Sequence, residues 1–227
     1  MFEINNKNYI QYQVNETSVY EIEDFYKYPD KIVEFISNLL PRFHKISQQG
    51  SLNGNAFEDL RHSCDVIGLR EVKNFLSSIC KQKPHLPDTL ETNMFKFLDK
   101  KFITCDNNWW WPHRDRGYTA LVYLNKISHP GTNLYDSSDN DYLTYIENNL
   151  IEHSNPWQPK SKFKLEATLQ AKYNKLVLFD GMTNPHSMSI DNDFFSDQYR
   201  LNQVMFFIDT NKKNQIFKEK KSVLKYQ

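Results

Sequence analysis

The chain carries no charge of one sign in excess: Lys and Arg together number 28, and so do Asp and Glu. A protein that holds nucleic acid by bulk electrostatics needs a basic surplus, so no nucleic-acid partner is expected. Cysteine is scarce. Cys64, Cys80 and Cys105 are odd in number, widely spaced and free of any CxxC, which indicates neither a disulfide framework nor a zinc knuckle. No apolar run approaches the roughly 20 residues of a membrane span. The opening MFEINNKNYIQ lacks the basic stretch and apolar core of a secretory signal. Internal repeats and low-complexity linkers are missing as well. These absences lead to the expectation of a soluble cytoplasmic protein with free thiols and no membrane partner.

What is present builds a core. The 227 residues suit one domain, or one with an extension, and 39% of them are hydrophobic. Aromatic residues make up 15%, which favours β structure over a helical bundle. Residues 8–23 read as short strands around a turn near Asn15. A helix follows, with Pro29 at its start and Pro41 closing it; Ile32, Val33, Phe35, Ile36, Leu39 and Leu40 form its apolar stripe. REVKNFLSSICK at 70–81 suggests another helix, and 91–104 reads as strand-like halves around Asp99. From 105 the texture changes to short strands: TALVYLN, GTNLYD, FKLEATLQAK, KLVLF and YRLNQVMFFID. Such a series points to a sandwich or jelly roll. The organisation expected is N-terminal strands and supporting helices over 1–104 and a β core over 105–210, both in one domain. A polar insertion falls at about 137–162, and a lysine-rich tail or surface helix at 211–227.

The stretch WWWPHRDRGY holds the first chemical signal. If the chain is extended there, His113 and Asp115 point the same way. An imidazole and a carboxylate presented together can bind a divalent metal, and His186 in FDGMTNPHSM is the candidate third ligand. Two histidines and a carboxylate on one face of an octahedron leave three positions open, the arrangement of non-haem Fe(II) oxygenases. Arg200 opens a strand with two largely apolar faces, so it is expected to be buried and to need an anionic partner. That partner is either a protein carboxylate or the far carboxylate of a dicarboxylate cosubstrate, which a guanidinium can hold in a bidentate pair.

PHRD at 112–115, TALVYLNK at 119–126, GTNLY at 131–135, LVLFDGMTNPHSM at 176–188 and YRLNQVMFFID at 199–209 follow one another in an order that resembles the Fe(II)/2-oxoglutarate-dependent oxygenases, particularly their prolyl-hydroxylase-like branch. The resemblance covers roughly 105–209, with a softer echo in VYEIEDFYKYPDKI at 19–32. It implies a double-stranded β-helix, a jelly-roll or cupin-like barrel flanked by N-terminal helices. It also implies Fe(II) held by His113, Asp115 and His186, with 2-oxoglutarate and O2 as cosubstrates. Arg200 matches the residue that binds the far carboxylate of 2-oxoglutarate. Tyr123 matches a tyrosine on the same carboxylate, and Asn202 points beside Arg200. Trp109 and Trp111, which share the parity of His113, are expected to wall the iron pocket or else to be core filler, with Trp110 packing outside.

There are departures from the family's pattern. The gap from His186 to Arg200 is fourteen residues (200 minus 186), longer than the commonest spacing, and Pro130 stands where a glycine precedes Gly-Thr. Phe206 occupies the position of the second arginine of nucleic-acid dealkylases. Asp115 keeps the carboxylate that halogenating members lose, which favours hydroxylation. The activity implied is hydroxylation of an unactivated C–H bond on a peptide or protein side chain or an amino-acid-like small molecule. The competing readings are a cupin-like module that binds a metal or ligand without turnover, and an interaction domain whose His and Asp are incidental. The insertion and the N-terminal half are expected to shape the entrance.

Overall fold

The computed structural model describes residues 1–39, 44–45, 57–98, 107–136, 140–149, 156–190 and 194–208. The chain starts with a hairpin of β1 (Ile10–Val14) and β2 (Thr17–Ile22). Asn15 and Glu16 both adopt positive φ, 49° and 63°, the two-residue turn whose twist matches its strands. Helix α1 (Pro29–Leu39) begins at the proline and buries Ile32, Ile36 and Leu39; Leu40 and Pro41 lie outside the described residues. Strands β3 (His44–Lys45) and β4 (Phe57–Asp65) follow, then α2 (Leu69–Cys80), which ends on Lys81 in the left-handed region with its N–H on the Ser77 carbonyl. Next come β5 (Lys83–Pro84), β6 (Thr89–Phe97), β7 (Asn108–Trp110), β8 (Gly117–Tyr123) and β9 (His129–Tyr135). The insertion supplies α3 (Asn140–Asn148) and β10 (Trp157–Pro159). The chain then runs through β11 (Leu165–Ala171), β12 (Leu176–Asp180), β13 (His186–Met188), α4 (Phe194–Asp197) and β14 (Arg200–Ile208).

The large antiparallel sheet runs β1-β2-β12-β8-β14-β6-β4-β3, with β5 on β14; the smaller runs β11-β9-β13. Strand β7 pairs with β10, and just beyond it His113 and His186 exchange backbone hydrogen bonds of 3.0 and 2.9 Å, which ties β7 to β13. From β6 onward the chain crosses between the two sheets: β6, β8, β12 and β14 lie in the large one, β7, β9, β11 and β13 on the small one's side. The sheets pack face to face through Leu121, Tyr123, Val177 and Phe179 against Leu134, Leu169 and Ala171. This is the double-stranded β-helix that the sequence implied.

Alternation along the strands gives the large sheet two characters. On its outer face, Leu90, Met94, Ala120, Val122, Leu176, Leu178, Leu201, Met205 and Phe207 meet Ile32 and Ile36 of α1 and Leu69, Val72 and Leu76 of α2. On its inner face β14 presents Arg200, Asn202, Val204 and Phe206. The N-terminal segment does more than support the core. Its β4 and β6 widen the large sheet beside β14, a role that the polar sequence FEDLRHSCD of β4 did not suggest. Cys64 and Cys80 are free thiols. No helix among the described residues is long and apolar enough to cross a membrane. Residues 99–104 and the tail expected at 211–227 lie outside the described residues.

Candidate metal and cosubstrate site

His113, Asp115 and His186 converge, each offering a ligand atom within 4.8 Å of the others. Their backbones are held as firmly as a strand. The His113–His186 bridge fixes both histidines, and the Asp115 N–H donates to the Gly181 carbonyl at 2.9 Å. Gly181 is required there: a Cβ would come within 2.7 Å of Thr119 Oγ1 and 3.0 Å of Asp115 Cβ. The Thr119 hydroxyl donates to Asp115 Oδ2. His186 Nε2 lies 3.2 Å from the same oxygen, while its Nδ1 faces the Asn184 carbonyl at 3.0 Å. That second contact sets the ring's orientation and leaves Nε2 turned toward the triad. Asn184 is itself fully buried; its amide donates to Thr17 Oγ1 and to the Asp180 carbonyl and accepts from Asn15. The N-terminal hairpin turn thus reaches Asn184, 169 positions away, and braces the segment that carries His186.

The electrostatics suit a cation. Burial, reinforced by the facing His186, pulls the His113 imidazole down to about 4, so it is neutral with a lone pair to offer. Burial pushes the Asp115 carboxyl up. His186, His113 and the Thr119 hydroxyl outweigh that push and hold it well below the usual carboxylate range. A neutral imidazole and an ionised carboxylate are the protonation states that metal ligation requires.

Arg200 lines the same cavity, a space of about 610 Å³ that also includes all three triad residues. It is buried, with Nη2 on the Gly131 carbonyl (3.3 Å) and on Thr132 Oγ1 (3.2 Å). Asn202, with its amide oriented to suit its neighbours, accepts from Arg200 Nη1 and donates to the Leu201 carbonyl at 3.0 Å. Arg200 Nε has no hydrogen-bond partner, and no carboxylate among the described residues is within 4 Å of the guanidinium. Burial pulls the guanidinium down to about 10, and it remains charged at neutral pH. Asp59 acts on this cation only at longer range. A buried cation with an unused N–H and no ion-pair partner in contact is set for a ligand anion. Gly131 lets β9 approach β11 here: at φ 89° its Cβ would overlap the Leu169 carbonyl.

Tyr123 sits behind this group and does not line the cavity. Its hydroxyl donates to Thr132 Oγ1 at 2.9 Å, and the guanidinium carbon lies 5.9 Å from its ring centroid. Tyr123 therefore supports Arg200 through Thr132 in this structure. The tryptophans need a correction. Trp110 and Trp111 line the cavity, their rings 4.7 Å apart, with Trp111 6.0 Å from the His113 ring. Trp109 faces the other way, against Tyr135 at 4.9 Å in the cluster under α3. Strict alternation fails because β7 ends at Trp110. Trp111 binds the Pro156 carbonyl, Pro112 follows, and Trp111 turns to the side of Trp110.

The cavity walls hold residues that the motifs did not single out: Thr119, Asp59, Arg61, Glu91 and Asn93. Thr119 shares the inward parity of Leu121 and Tyr123 and was findable on that ground. The insertion reaches the rim, where Glu147 of α3 takes Arg114 in a two-pronged pair of 3.0 and 3.2 Å. The described part of HSNPWQPK pairs with β7 as β10, and Trp157 stacks on Phe97 and meets Trp110 edge to face; it backs the wall.

No protein-family model matches the chain, and no curated protein matches it. Solved structures do. An oxidoreductase of the 2OG-Fe(II) oxygenase family from Burkholderia pseudomallei is 10% identical, over 84% of this chain and 85% of that one, with a TM-score of 0.41. HygX from Streptomyces hygroscopicus, solved with nickel and 2-oxoglutarate bound, is 12% identical, over 86% of this chain and 84% of that one, with a TM-score of 0.44.

Proposed function

We propose that this chain is a non-haem Fe(II)- and 2-oxoglutarate-dependent dioxygenase that hydroxylates an unactivated C–H bond. One observation carries the reading: the His113–Asp115–His186 triad and the unpaired buried Arg200 open into one cavity of a double-stranded β-helix. The donor set fits Fe(II), since two imidazoles and one carboxylate leave positions for a bidentate cosubstrate and O2. The orphaned Arg200 Nε fits the far carboxylate of 2-oxoglutarate.

In this reading His113, Asp115 and His186 hold the metal, and Arg200 with Thr132 holds the cosubstrate's far end. Asn202 and Tyr123 keep the guanidinium and its threonine in place. Fe(II) and 2-oxoglutarate, held by these residues, would supply the activation of O2, the oxidant that hydroxylates the substrate while 2-oxoglutarate goes to succinate and CO2. The residues around them fix geometry. Thr119 holds the Asp115 carboxylate, the Asn184 carbonyl holds the His186 ring, and Trp110 and Trp111 keep one side of the cavity apolar. Restricting water there strengthens the pull of Arg200 on its anion. No side chain is required as a general base. The substrate is a peptide or protein side chain or an amino-acid-like small molecule.

Anaerobic titration with Fe(II) and then 2-oxoglutarate tests the reading, because a chelated cosubstrate gives a visible charge-transfer band. The band is expected in the wild type and is expected to be lost or weakened in Asp115→Ala and Arg200→Ala. Equal metal binding by all three proteins with no band would leave a cupin-like binding module as the better account.

A further inference from the structure

Strands β4 and β6 extend the large sheet beside β14, and their inner face forms a wall of the cavity that neither the metal triad nor Arg200 occupies. Asp59 on this wall is already satisfied: it accepts from Arg61 Nη2 at 3.0 Å and from Asn93 Nδ2 at 2.6 Å. Arg61 spends Nε and Nη2 on Asp59, keeps Nη1 without a partner among the described residues, and leaves 49% of its side chain exposed. Glu91 is a carboxylate with a long ion pair and a buried oxygen that no hydrogen bond reaches. Its nearest cation, Lys73 Nζ, stands 3.8 Å away, beyond hydrogen-bond distance, and donates instead to the Leu86 and Thr89 carbonyls at 2.9 Å. Glu91 Oε2 receives no hydrogen bond.

The register sets these groups against each other. Arg61 opposes Asn93, and Glu91 opposes Ser63, so Arg61 and Glu91 are diagonal neighbours on one face, with backbones roughly 7–8 Å apart. Across β14, Glu91 opposes Val204, which opposes Leu121, two residues from Thr119 and its bond to Asp115. Two strand spacings, roughly 10 Å, therefore separate Glu91 from the strand beside the metal triad. An anionic acceptor and a cationic donor thus line the same cavity as the metal triad.

Resting on the oxygenase reading, the geometry points to this wall as a head-group site for a small zwitterionic substrate, its ammonium on Glu91 and its carboxylate on Arg61. The cavity of about 610 Å³ is of small-molecule size. A residue inside a peptide chain carries neither charge and would leave Arg61 Nη1 and Glu91 Oε2 without a hydrogen-bond partner, a penalty that such sites use to reject substrates lacking the matching group.

The test is calorimetric titration of the protein loaded anaerobically with Ni(II) and 2-oxoglutarate. The probes are free L-amino acids, the same compounds without the amine, the same without the carboxylate, and peptides blocked at both ends. Zwitterions are expected to bind at least tenfold more tightly than any other set. Glu91→Gln is expected to weaken zwitterions and amines at least tenfold while moving the amine-free acids less than twofold. Arg61→Gln is expected to do the mirror image, and Glu91→Asp to recover part of the loss, which separates charge from folding damage. Blocked peptides binding as tightly as zwitterions, no probe binding at all, or either glutamine variant weakening every set alike would overturn the head-group assignment. Failure of the wild type to take up metal and 2-oxoglutarate would instead remove the oxygenase reading, and this assignment with it.

Discussion

The two faces of the large sheet obey the same strand alternation and serve opposite ends. The outer face is nearly all aliphatic and aromatic and is sealed by α1 and α2. The inner face of the same strands carries Thr119, Arg200, Asn202, Asn93, Glu91, Asp59 and Arg61, several of them well buried. Burying apolar area stabilises at roughly 25 cal/mol per Å², whereas burying an unpaired charge costs free energy. The outer face therefore holds the fold together. The inner face withdraws part of that stability and converts it into a site.

The sharpest way to break this contrast is to remove the anion that the inner-face Thr119 holds. Asp115→Ala should leave the fold intact by circular dichroism and lower 2-oxoglutarate turnover by roughly a thousandfold or more, since activity without the carboxylate ligand needs a coordination that the chain does not otherwise offer. Turnover within tenfold of wild type would show that the triad is not the metal site.

Arg200→Met comes next. With hydrogen bonds but no carboxylate in contact, Arg200 is a net cost to the ligand-free protein, so an apolar side chain of similar length should leave its melting temperature unchanged or raised by a few degrees. Affinity for 2-oxoglutarate should fall roughly a hundred- to several-thousandfold, in line with about 3–5 kcal/mol for breaking a buried charge pair. A melting temperature that falls sharply would mean that the guanidinium is structural.

Leu76→Ala probes the other face. This residue of α2 is fully buried, and its truncation should cost about 2–5 kcal/mol by leaving a cavity, seen as a shifted denaturant midpoint. Metal affinity in the remaining folded protein should hardly change, because no inner-face group moves.

Acid gives a smaller effect with a definite sign. The folded His113 is depressed to about 4 against an ordinary value near 6.5. The unfolded chain therefore binds the extra proton first. The stability that this group contributes is fully present above about 6.5 and is lost as pH falls toward 4. The metal-free protein should melt at progressively lower temperature across that window, and His113→Gln should flatten the slope. The mildest change is Asn184→Ala, which loosens the segment whose carbonyl orients His186. A ten- to hundredfold loss of metal affinity is expected, as for other partners of metal-binding histidines, with a folded hairpin retained.

How much could be read in advance depended on whether a residue's role was local. α1 and α2 were legible from apolar spacing and from Pro29, and β8, β12 and β14 from dense β-branched and aromatic runs. His113, Asp115, His186 and Arg200 were legible as a constellation, and the cavity brings them together. Strand β4 was not, because Glu58, Asp59, Arg61, His62 and Asp65 lower its intrinsic strand preference. It forms because β6 and β3 flank it and its inner face turns toward a polar cavity. The tryptophan parity failed at a strand end, where the alternation that licensed it no longer held.

By itself, then, the sequence determined the period of each element, the polarity of each face and the order of the residues that can bind a metal and an anion. Those properties follow from backbone geometry and side-chain chemistry over a few neighbouring positions. Only the tertiary structure decided that Asn184 braces His186 against a hairpin far upstream and that Tyr123 reaches Arg200 through Thr132. It alone placed β4 and β6 so that Arg61 and Glu91 share the cavity with the triad. Each of these depends on strand order and register between distant segments, and no local pattern encodes which strands become neighbours.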